Sequence, residues 1–244
     1  MKIALIGYGK MGKTIQQVIV EQQLSDEIKL IVSDQNIEEF TVDNLRQCDV
    51  AIEFTQPQSA VENIYKCFEA GVPIVVGTTA WLQSLDEVKA KCAEMDGTLF
   101  FSPNYSIGVN IFWEINKKLA ALMNSQPQYN ISIEEIHHTE KLDAPSGTAV
   151  KTAELILEEL DTKTNWKLKD NEGHYKETDL LIVAKREPNV PGTHVVTYTS
   201  SVDFIELKHQ AVSRKGFAEG AILAARFIIG KKGVFEMKDL LSIG

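Results

Sequence analysis

The sequence has few cysteines, and no two of them lie close together. Cys48, Cys67 and Cys92 are the three cysteines in 244 residues, and they form no C-x-x-C pair. A disulfide scaffold or a cysteine-rich zinc site needs clustered thiols. We therefore expect three reduced and buried side chains, as in a cytoplasmic protein.

An excess of positive charge is also absent. The chain carries 25 Lys+Arg against 34 Asp+Glu, which gives a formal net charge of −9. Recognition of nucleic-acid phosphates needs a basic face, so we expect no nucleic-acid partner. Long hydrophobic runs are missing too, because the apolar run near the N-terminus covers only residues 3–6. We expect neither a secretory leader nor a membrane span.

What the first part of the chain does contain is a regular alternation of short apolar runs and amphipathic segments. The apolar runs cover residues 3–6, 29–32, 49–54, 73–76 and 99–101. Between them apolar residues recur at helical spacing, as at Met11, Ile15 and Val18. This alternation is typical of βαβ units. It predicts an α/β fold with an N-terminal Rossmann-like, doubly wound parallel sheet.

The pattern changes after about residue 104. A helix is predicted over 107–123 and another over 148–160, whereas several strand-like runs follow one another without helices. These runs cover residues 131–136, 180–184, 194–200 and 202–208. We predict a second, α+β domain built on a mixed sheet, and a last helix over 218–229 that packs on the first domain. The predicted domains are 1–107, completed by 216–244, for a dinucleotide, and 108–215 for the substrate and for oligomerisation.

A glycine motif follows the first predicted strand directly and opens the first helix. The letters GYGKMG at residues 7–12 fit G-x-G-x-x-G, in which glycine lets a pyrophosphate approach backbone N–H groups at a helix N-terminus. Asp34, 22 residues after Gly12, is placed to bind ribose hydroxyls. The alternative is a plain glycine turn, which the combined pattern makes less attractive. The predicted cofactor contacts here are Gly7, Tyr8, Gly9, Lys10, Met11 and Asp34.

The residues around Asp34 bear on the choice of cofactor. Gln35 and Asn36 follow it, and no Arg lies within four residues to bind a 2′-phosphate. This favours NADH over NADPH. Lys10 is a nearby cation within reach of a phosphate, and an exposed surface lysine is an equally good interpretation of it.

Two more loops follow predicted strand ends in the first domain. Ligands of open α/β sheets collect at the carboxyl ends of strands, so these loops are candidates for the nicotinamide half of the cofactor site. Turn chemistry alone also explains their Gly, Pro, Asn and Ser residues. The candidate residues are Gly77, Thr78, Thr79, Pro103, Asn104, Tyr105 and Ser106.

The densest group of reactive side chains lies between residues 134 and 148. His137 and His138 are followed by Lys141 and by Ser-Gly-Thr at 146–148, where a helix is predicted to begin. A helix N-terminus with hydroxyls and cations nearby favours a carboxylate, so we expect an anionic substrate. The alternatives are helix caps and structural histidines. We predict no metal, because adjacent histidines on a strand point apart, no Cys lies near and no HExxH spacing occurs.

Several segments together match the pattern of a known family. The longest reads His137-His138-x-x-Lys141-x-Asp143-Ala144-Pro145-Ser146-Gly147-Thr148-Ala149, and shorter matches lie at 53–57, 77–79, 104–110 and 213–221. With these segments the sequence resembles the dihydrodipicolinate reductases over its whole length. The departures are Glu53 in place of an Asp, Ala80 in place of a Gly and Thr193 in place of a Glu.

The resemblance implies roles for individual residues. It makes Lys141 the proton donor and His137 a proton donor or acceptor. It makes His138 a substrate contact and has Gly147 and Thr148 supply backbone N–H groups to a substrate carboxylate, beside the Ser146 hydroxyl that the residue pattern already indicates. The glycine loop, Asp34 and the two further loops fall on the cofactor positions of the family.

The resemblance also implies a reaction and an assembly. NADH or NADPH would transfer a hydride to a cyclic imine dicarboxylate, 4-hydroxy-tetrahydrodipicolinate, with loss of water, in diaminopimelate and lysine biosynthesis. The assembly would be a homotetramer joined through the second sheet. The alternatives are another NAD-dependent dehydrogenase of amino-acid metabolism and a non-catalytic NAD(H)-sensing module. An aldehyde dehydrogenase would need an activated Cys, and a sensing module has little use for two His and a Lys beside an anion site.

Overall fold

A computed structural model describes residues 1–170 and 173–243 of the chain. By their internal contacts the residues divide into two compact units, Met1–Ile107 with Lys215–Gly244 and Gly108–Arg214. The chain therefore enters the second unit after Ile107 and leaves it after Arg214. The assignment of one unit to a dinucleotide and the other to the substrate stays a prediction.

The described residues form strands and helices in the following order. The strands are β1 (Lys2–Ile6), β2 (Glu27–Val32), β3 (Val50–Glu53), β4 (Ile74–Val76), β5 (Thr98–Phe101), β6 (Asn130–His137), β7 (Asn165–Leu168), β8 (Asp179–Arg186), β9 (Gly192–Thr199), β10 (Phe204–Ala211) and β11 (Gly233–Phe235). The helices are α1 (Lys10–Glu21), α2 (Val42–Leu45), α3 (Pro57–Ala70), α4 (Leu85–Glu94), α5 (Ile107–Met123), α6 (Gly147–Leu157), α7 (Lys215–Ile228) and α8 (Met237–Leu241).

The first unit contains a parallel sheet with the strand order β11-β5-β4-β3-β1-β2. Its inner strands read as continuous apolar runs because helices cover both faces. Ile3 and Leu5 pack in one hydrophobic layer, whereas Ala4 and Ile6 pack in the other. This doubly wound sheet confirms the Rossmann-like prediction.

The helices of this unit begin and end where local chemistry dictates. Helix α3 has Pro57 at its first position, where the missing N–H costs nothing, and it ends at Gly71, whose φ of 71° is left-handed. Helices α1 and α7 share one layer with Ile3 and Leu5, and α3 and α4 share the other with Ala4 and Ile6. Strand β2 lies on one side of β1, and β3 and the strands after it lie on the other. A crevice is expected where the strand order changes side in this way, beyond the carboxyl ends of β1 and β3.

Helix α7 packs closely on the first unit through small residues. Ala218, Ala221 and Ala225 are fully buried beside the sheet and α1. A Cβ atom at Gly220 would lie 1.8 Å from the carbonyl oxygen of Tyr105. The backbone of α7 therefore approaches that loop as closely as only glycine allows.

The second unit contains a mixed sheet with the strand order β10-β9-β6-β8-β7, as predicted. Strand β6 runs parallel to β8 and antiparallel to β9. Side chains of α5 and α6 cover one face of this sheet, and Ile131 and Ile133 of β6 point into that core. Since side chains alternate along a strand, Glu135 and His137 lie on the same inner face.

The sequence did not predict the shortest elements. Strand β11 has three residues and is held by its parallel pairing with β5, and β7 has four residues paired with β8. Runs this short carry no readable periodicity of their own. Among the described residues, no helix combines the length and the apolar character needed to cross a membrane.

The packing of α7 leads to a test of its two N-terminal glycines. Gly220→Ala should lower the free energy of unfolding by about 1–3 kcal/mol, because the new methyl group has no space beside Tyr105. Gly216→Ala, in the same helix, meets no atom within 4 Å and should leave stability unchanged or slightly raised. Urea unfolding of both variants measures the difference. Equal stability of the two variants would contradict the close approach of α7.

Candidate active site

The glycine loop after β1 is shaped by two close backbone contacts. Gly7 has a φ of 93°, and a Cβ there would lie 2.1 Å from the carbonyl oxygen of Phe54. A Cβ at Gly12 would lie 2.4 Å from the carbonyl oxygen of Gly7. Both positions therefore require glycine for the turn and for the packing of α1 on it.

The middle glycine of the motif, Gly9, is different. A Cβ at Gly9 would meet no atom within 4 Å, so the fold alone does not require glycine there. Gly9 precedes the first residue of α1, and it has no side chain to cap the N–H groups of the first turn. Open space and the positive end of the helix dipole fit a phosphate group.

A cavity of about 870 Å³ opens beside this loop. The structure brings Gly7, Tyr8 and Gly9 together with Asp34 along its wall. Lys10 and Met11 are not among its lining residues. Lys13, about one helical turn further along α1, does line the cavity. Its Nζ atom lies 5.8 Å from the centre of the Tyr8 ring. Sequence reasoning missed Lys13 because helical phase decides which lysine faces the cavity.

The two further loops lie at the carboxyl ends of the neighbouring strands β4 and β5. Their residues, 77–79 and 103–106, do not line this cavity. The Tyr105 side chain is 2% exposed, and its hydroxyl donates a hydrogen bond of 2.7 Å to the carbonyl oxygen of Val76. Its ring packs against Phe54 at 5.8 Å between centroids. The side chain of Tyr105 is therefore occupied within the fold, and a contact with a cofactor would have to come from its backbone.

Glu53 joins the loops that follow β3 and β4. Its side chain is fully buried, and its Oε1 accepts hydrogen bonds from the Thr55 amide at 3.0 Å and the Thr78 hydroxyl at 2.9 Å, besides the Thr55 hydroxyl. Among the described residues, Oε2 has no hydrogen-bond partner. Burial raises the pKa of Glu53 above its ordinary value. The residue that departs from the family pattern thus holds two loops together.

In the second unit, the reactive segment runs from the end of β6 to the start of α6. His137 is the last residue of β6, and His138 begins the connecting loop. His138 lines a cavity of about 340 Å³ together with Glu140, Pro188 and Arg214. Arg214 gives this cavity a second basic side chain, and its place 76 residues further along the chain concealed it from sequence reasoning.

Lys141 lies in the same loop and is held by its neighbours. Its amide donates a hydrogen bond to the carbonyl oxygen of His138, and its Nζ lies 2.8 Å from an oxygen of Asp143. The hydrogen bond from Lys141 lowers the pKa of the Asp143 carboxyl group. The ammonium group therefore has a fixed counter-ion two residues away.

His137 points into the protein and is only 7% exposed. Its Nδ1 lies 3.1 Å from Oε2 of Glu135, and its ring meets the His194 ring edge-on at 5.1 Å between centroids. A Cβ at Gly192 would lie 3.0 Å from its Nε2, so glycine there makes room for the ring. His137 and His138 are thus separated into a buried and a cavity-lining histidine, as alternation on a strand predicts.

The start of α6 is set by Ser146. Its buried hydroxyl accepts a hydrogen bond from the Ala149 amide at 3.2 Å and lies 3.1 Å from Nε2 of His194. These contacts occupy the Ser146 side chain as a helix cap. A Cβ at Gly147 would meet no atom within 4 Å, so the N-terminal end of the helix is open at that residue.

Glu135, His137 and His194 are also close enough to hold a metal ion, with ligand atoms within 4.8 Å of one another. The carboxylate already has other partners, because the Arg186 guanidinium lies 3.3 Å from Oε1 and the Ser146 amide 3.1 Å from Oε2. Burial lowers the pKa of His194 to about 3, so this imidazole is neutral. A guanidinium this close opposes a second cation, and the absence of a metal stays a prediction.

Two family models match the chain, one over each part. The model described as "Dihydrodipicolinate reductase, N-terminus" matches residues 1–105, and "Dihydrodipicolinate reductase, C-terminus" matches residues 108–241. A 4-hydroxy-tetrahydrodipicolinate reductase of Christiangramia forsetii is 45% identical over 242 residues, covering 99% of this chain and 98% of that protein. One of Methanoregula boonei is 34% identical, covering 99% of this chain and 98% of that protein.

Solved structures show the same fold. A dipicolinate-bound dihydrodipicolinate reductase from Paenisporosarcina sp. TG-14 superposes with a TM-score of 0.78 at 21% identity, covering 97% of both chains. An aspartate dehydrogenase from Thermotoga maritima superposes with a TM-score of 0.51 at 16% identity, covering 95% of this chain and 97% of that chain.

The buried position of Glu53 leads to a test of its charge state. Glu53→Gln keeps an acceptor for Thr55 and Thr78 and is always neutral, so it should fold and bind the pyridine nucleotide like the parent. A raised pKa means that the contribution of Glu53 to stability is greatest below its ordinary pKa of 4.5 and declines as the pH rises through the raised value. Urea unfolding at about pH 8 should therefore find the Gln variant at least as stable as the parent.

Glu53→Ala is the matched comparison. It removes the acceptor of the buried Thr78 hydroxyl, which should cost about 1–3 kcal/mol of stability and weaken binding of the pyridine nucleotide. If Glu53→Gln were as unstable as Glu53→Ala, an ionised carboxylate would be required instead.

Proposed function

Because the chain belongs to the family of dihydrodipicolinate reductases, we propose that the cavity beside its glycine loop holds the pyridine nucleotide and that the segment from His137 to Thr148 holds the substrate. The enzyme reduces 4-hydroxy-tetrahydrodipicolinate to tetrahydrodipicolinate with loss of water, in diaminopimelate and lysine biosynthesis. The observation that carries the site assignment is the clustering of His138, Lys141 and the start of α6 in one short segment.

The proposed dinucleotide-binding domain consists of residues 1–107 and 216–244. The unoccluded N-terminus of α1 at Gly9 supports a pyrophosphate there, and Asp34 supports contacts to ribose hydroxyls. When bound, the reduced nicotinamide supplies a hydride to carbon 4 of the substrate ring. The proposed contacts are Gly7, Tyr8, Gly9, Lys10, Met11, Asp34, Gly77, Thr78, Thr79, Pro103, Asn104, Tyr105 and Ser106, with Lys13 as an addition from the cavity wall.

The proposed substrate-binding domain consists of residues 108–215. A substrate with two carboxylates needs cations and N–H donors, and the start of α6 together with Lys141 supplies both. Gly147 and Thr148 are proposed to offer peptide N–H groups to one carboxylate, with Ser146 fixing the helix start. Arg214 in the His138 cavity supplies charge for the other.

Protonation of carbon follows hydride transfer to a conjugated imine, and we assign the proton to Lys141. Its ammonium group lies 2.8 Å from the Asp143 carboxylate, which directs it. His137 is proposed to assist in proton handling. Because His137 is buried beside Glu135, it can exchange protons only with groups that lie directly next to it.

The second domain is also proposed to join the subunits of a homotetramer through its sheet. Support comes from β10, at the edge of the sheet, where Phe204 is 66% exposed. A large exposed aromatic side chain on an edge strand is typical of a contact surface. Light scattering of the parent and of Phe204→Ser tests the assembly, and a monomeric parent protein would exclude it.

The surroundings of Asp34 lead to a prediction about cofactor preference. NADH should be used at least as well as NADPH, and Asp34→Ala should reduce NADH affinity more than NADPH affinity, because a carboxylate binds ribose hydroxyls but repels a 2′-phosphate. Steady-state kinetics with both cofactors measure this. A tenfold better kcat/KM for NADPH, about 1.4 kcal/mol, would be incompatible with it.

The assignment of Lys141 leads to a prediction about the chemical step. Lys141→Ala should lower kcat by about 10²–10³-fold while NADH affinity, measured by fluorescence titration, stays unchanged. Lys141→Arg keeps the charge beside Asp143 but holds its proton too tightly, so it should bind substrate and still turn over slowly. Lys118→Ala, which removes an exposed lysine paired with Glu114, is the control. A normal kcat in Lys141→Ala would show that Lys141 is not the proton donor.

A further inference from the structure

A carboxylate lies in the layer between the second sheet and its helices. Along the inner face of β6 the side chains read Ile131, Ile133, Glu135 and His137, so Glu135 directly continues a hydrophobic row. The Glu135 side chain is fully buried. An unpaired charge at such a position would be strongly destabilising, so its partners must be accounted for.

Those partners come from three separate parts of the chain. The Arg186 guanidinium of β8 lies 3.3 Å from Oε1, whereas the Ser146 amide and Nδ1 of His137 each lie 3.1 Å from Oε2. Burial alone would raise the pKa of Glu135, but the contacts of His137 and Ser146 hold it at about 2. The carboxylate is therefore ionised and bridges β6, β8 and the start of α6.

Arg186 continues the connection into the loop that carries Lys141. Its Nη2 donates a hydrogen bond of 2.6 Å to the carbonyl oxygen of Asp143, and its Nε lies 3.4 Å from the carbonyl oxygen of Lys141. The same loop binds the Lys141 ammonium through the Asp143 carboxylate. Glu135 contacts Arg186, Arg186 binds the backbone carbonyl groups on both sides of Leu142, and that backbone carries the Lys141 side chain.

We propose that Glu135 and Arg186 are positioning residues that together hold the Lys141 loop and the N-terminus of α6 in the arrangement required for protonation of the substrate. The inference rests on the proposed function of Lys141 as proton donor. Neither residue is assigned a contact with the substrate. A planar guanidinium suits the role, because it reaches a carboxylate and two carbonyl groups at once, which a lysine ammonium cannot.

The experiment compares Glu135→Gln, Arg186→Met and the double variant with a control from the same sheet. Asp179, at the opposite end of β8, is also buried and paired with Lys167 at 2.8 Å, but it lies outside the segment that carries the proposed site. For each variant we would measure kcat, KM, the NADH dissociation constant, the thermal midpoint and the solvent deuterium isotope effect on kcat.

Glu135→Gln and Arg186→Met should each lower kcat at least about tenfold and raise the solvent isotope effect, because proton transfer from a displaced Lys141 becomes slower. NADH binding should not change. The double variant should be no slower than the slower single variant, since the two residues act as one unit. Asp179→Asn should lower the thermal midpoint without changing kcat or the isotope effect.

Parental kcat and isotope effect in Glu135→Gln, with only a lower thermal midpoint, would overturn the inference and leave the pair a purely structural role. If Glu135→Gln does not fold, Arg186→Lys keeps the charge but cannot span the carboxylate and the two carbonyl groups, and it should show the same slow turnover. Normal kcat in Lys141→Ala would instead refute the proposed donor, so the two failures are distinguishable.

Discussion

The loops of both candidate sites depend on hydrogen bonds to a buried carboxylate. Glu53 accepts hydrogen bonds from Thr55 and Thr78 and so joins the loops after β3 and β4. Glu135 contacts Arg186 and the Ser146 amide, which joins the loop before α6 to β8. Buried backbone and hydroxyl donors need such acceptors, and one carboxylate has enough lone pairs to serve several of them.

The pKa values of the two carboxyl groups are shifted in opposite directions, and the difference follows from their partners. Glu53 has hydroxyl and amide donors but no ion pair within the described part of the chain, and burial raises its pKa. Glu135 faces Arg186, and its contacts with His137 and Ser146 keep its pKa low against the effect of burial. The ionised Glu135 carboxylate is compensated by the Arg186 guanidinium, whereas the Lys141 ammonium is paired with Asp143.

Hydrophobic periodicity predicted the longer strands and helices, because the spacing of apolar residues in each one shows which of its faces is buried. The run at residues 3–6 became β1, and the helical spacing from Met11 to Ile19 became α1, since strands and helices buried in a layered fold must be apolar on known faces. The helix predicted over 148–160 begins at Gly147 and ends at Leu157. Strand β11 was missed because three residues gain their conformation only by pairing with β5.

The sequence by itself determined the features that depend only on neighbouring residues. The glycine turn before α1, the Ser146 cap and the opposite directions of His137 and His138 all depend on residues close together in the chain. Only the tertiary structure decided which distant groups meet: Arg186 with Glu135, 51 residues apart, and Thr78 with Glu53, 25 residues apart. Strand order and register bring these pairs together. The hydrophobic pattern of the sequence specifies neither the order nor the register of the strands, because many strand pairings bury the same apolar residues equally well.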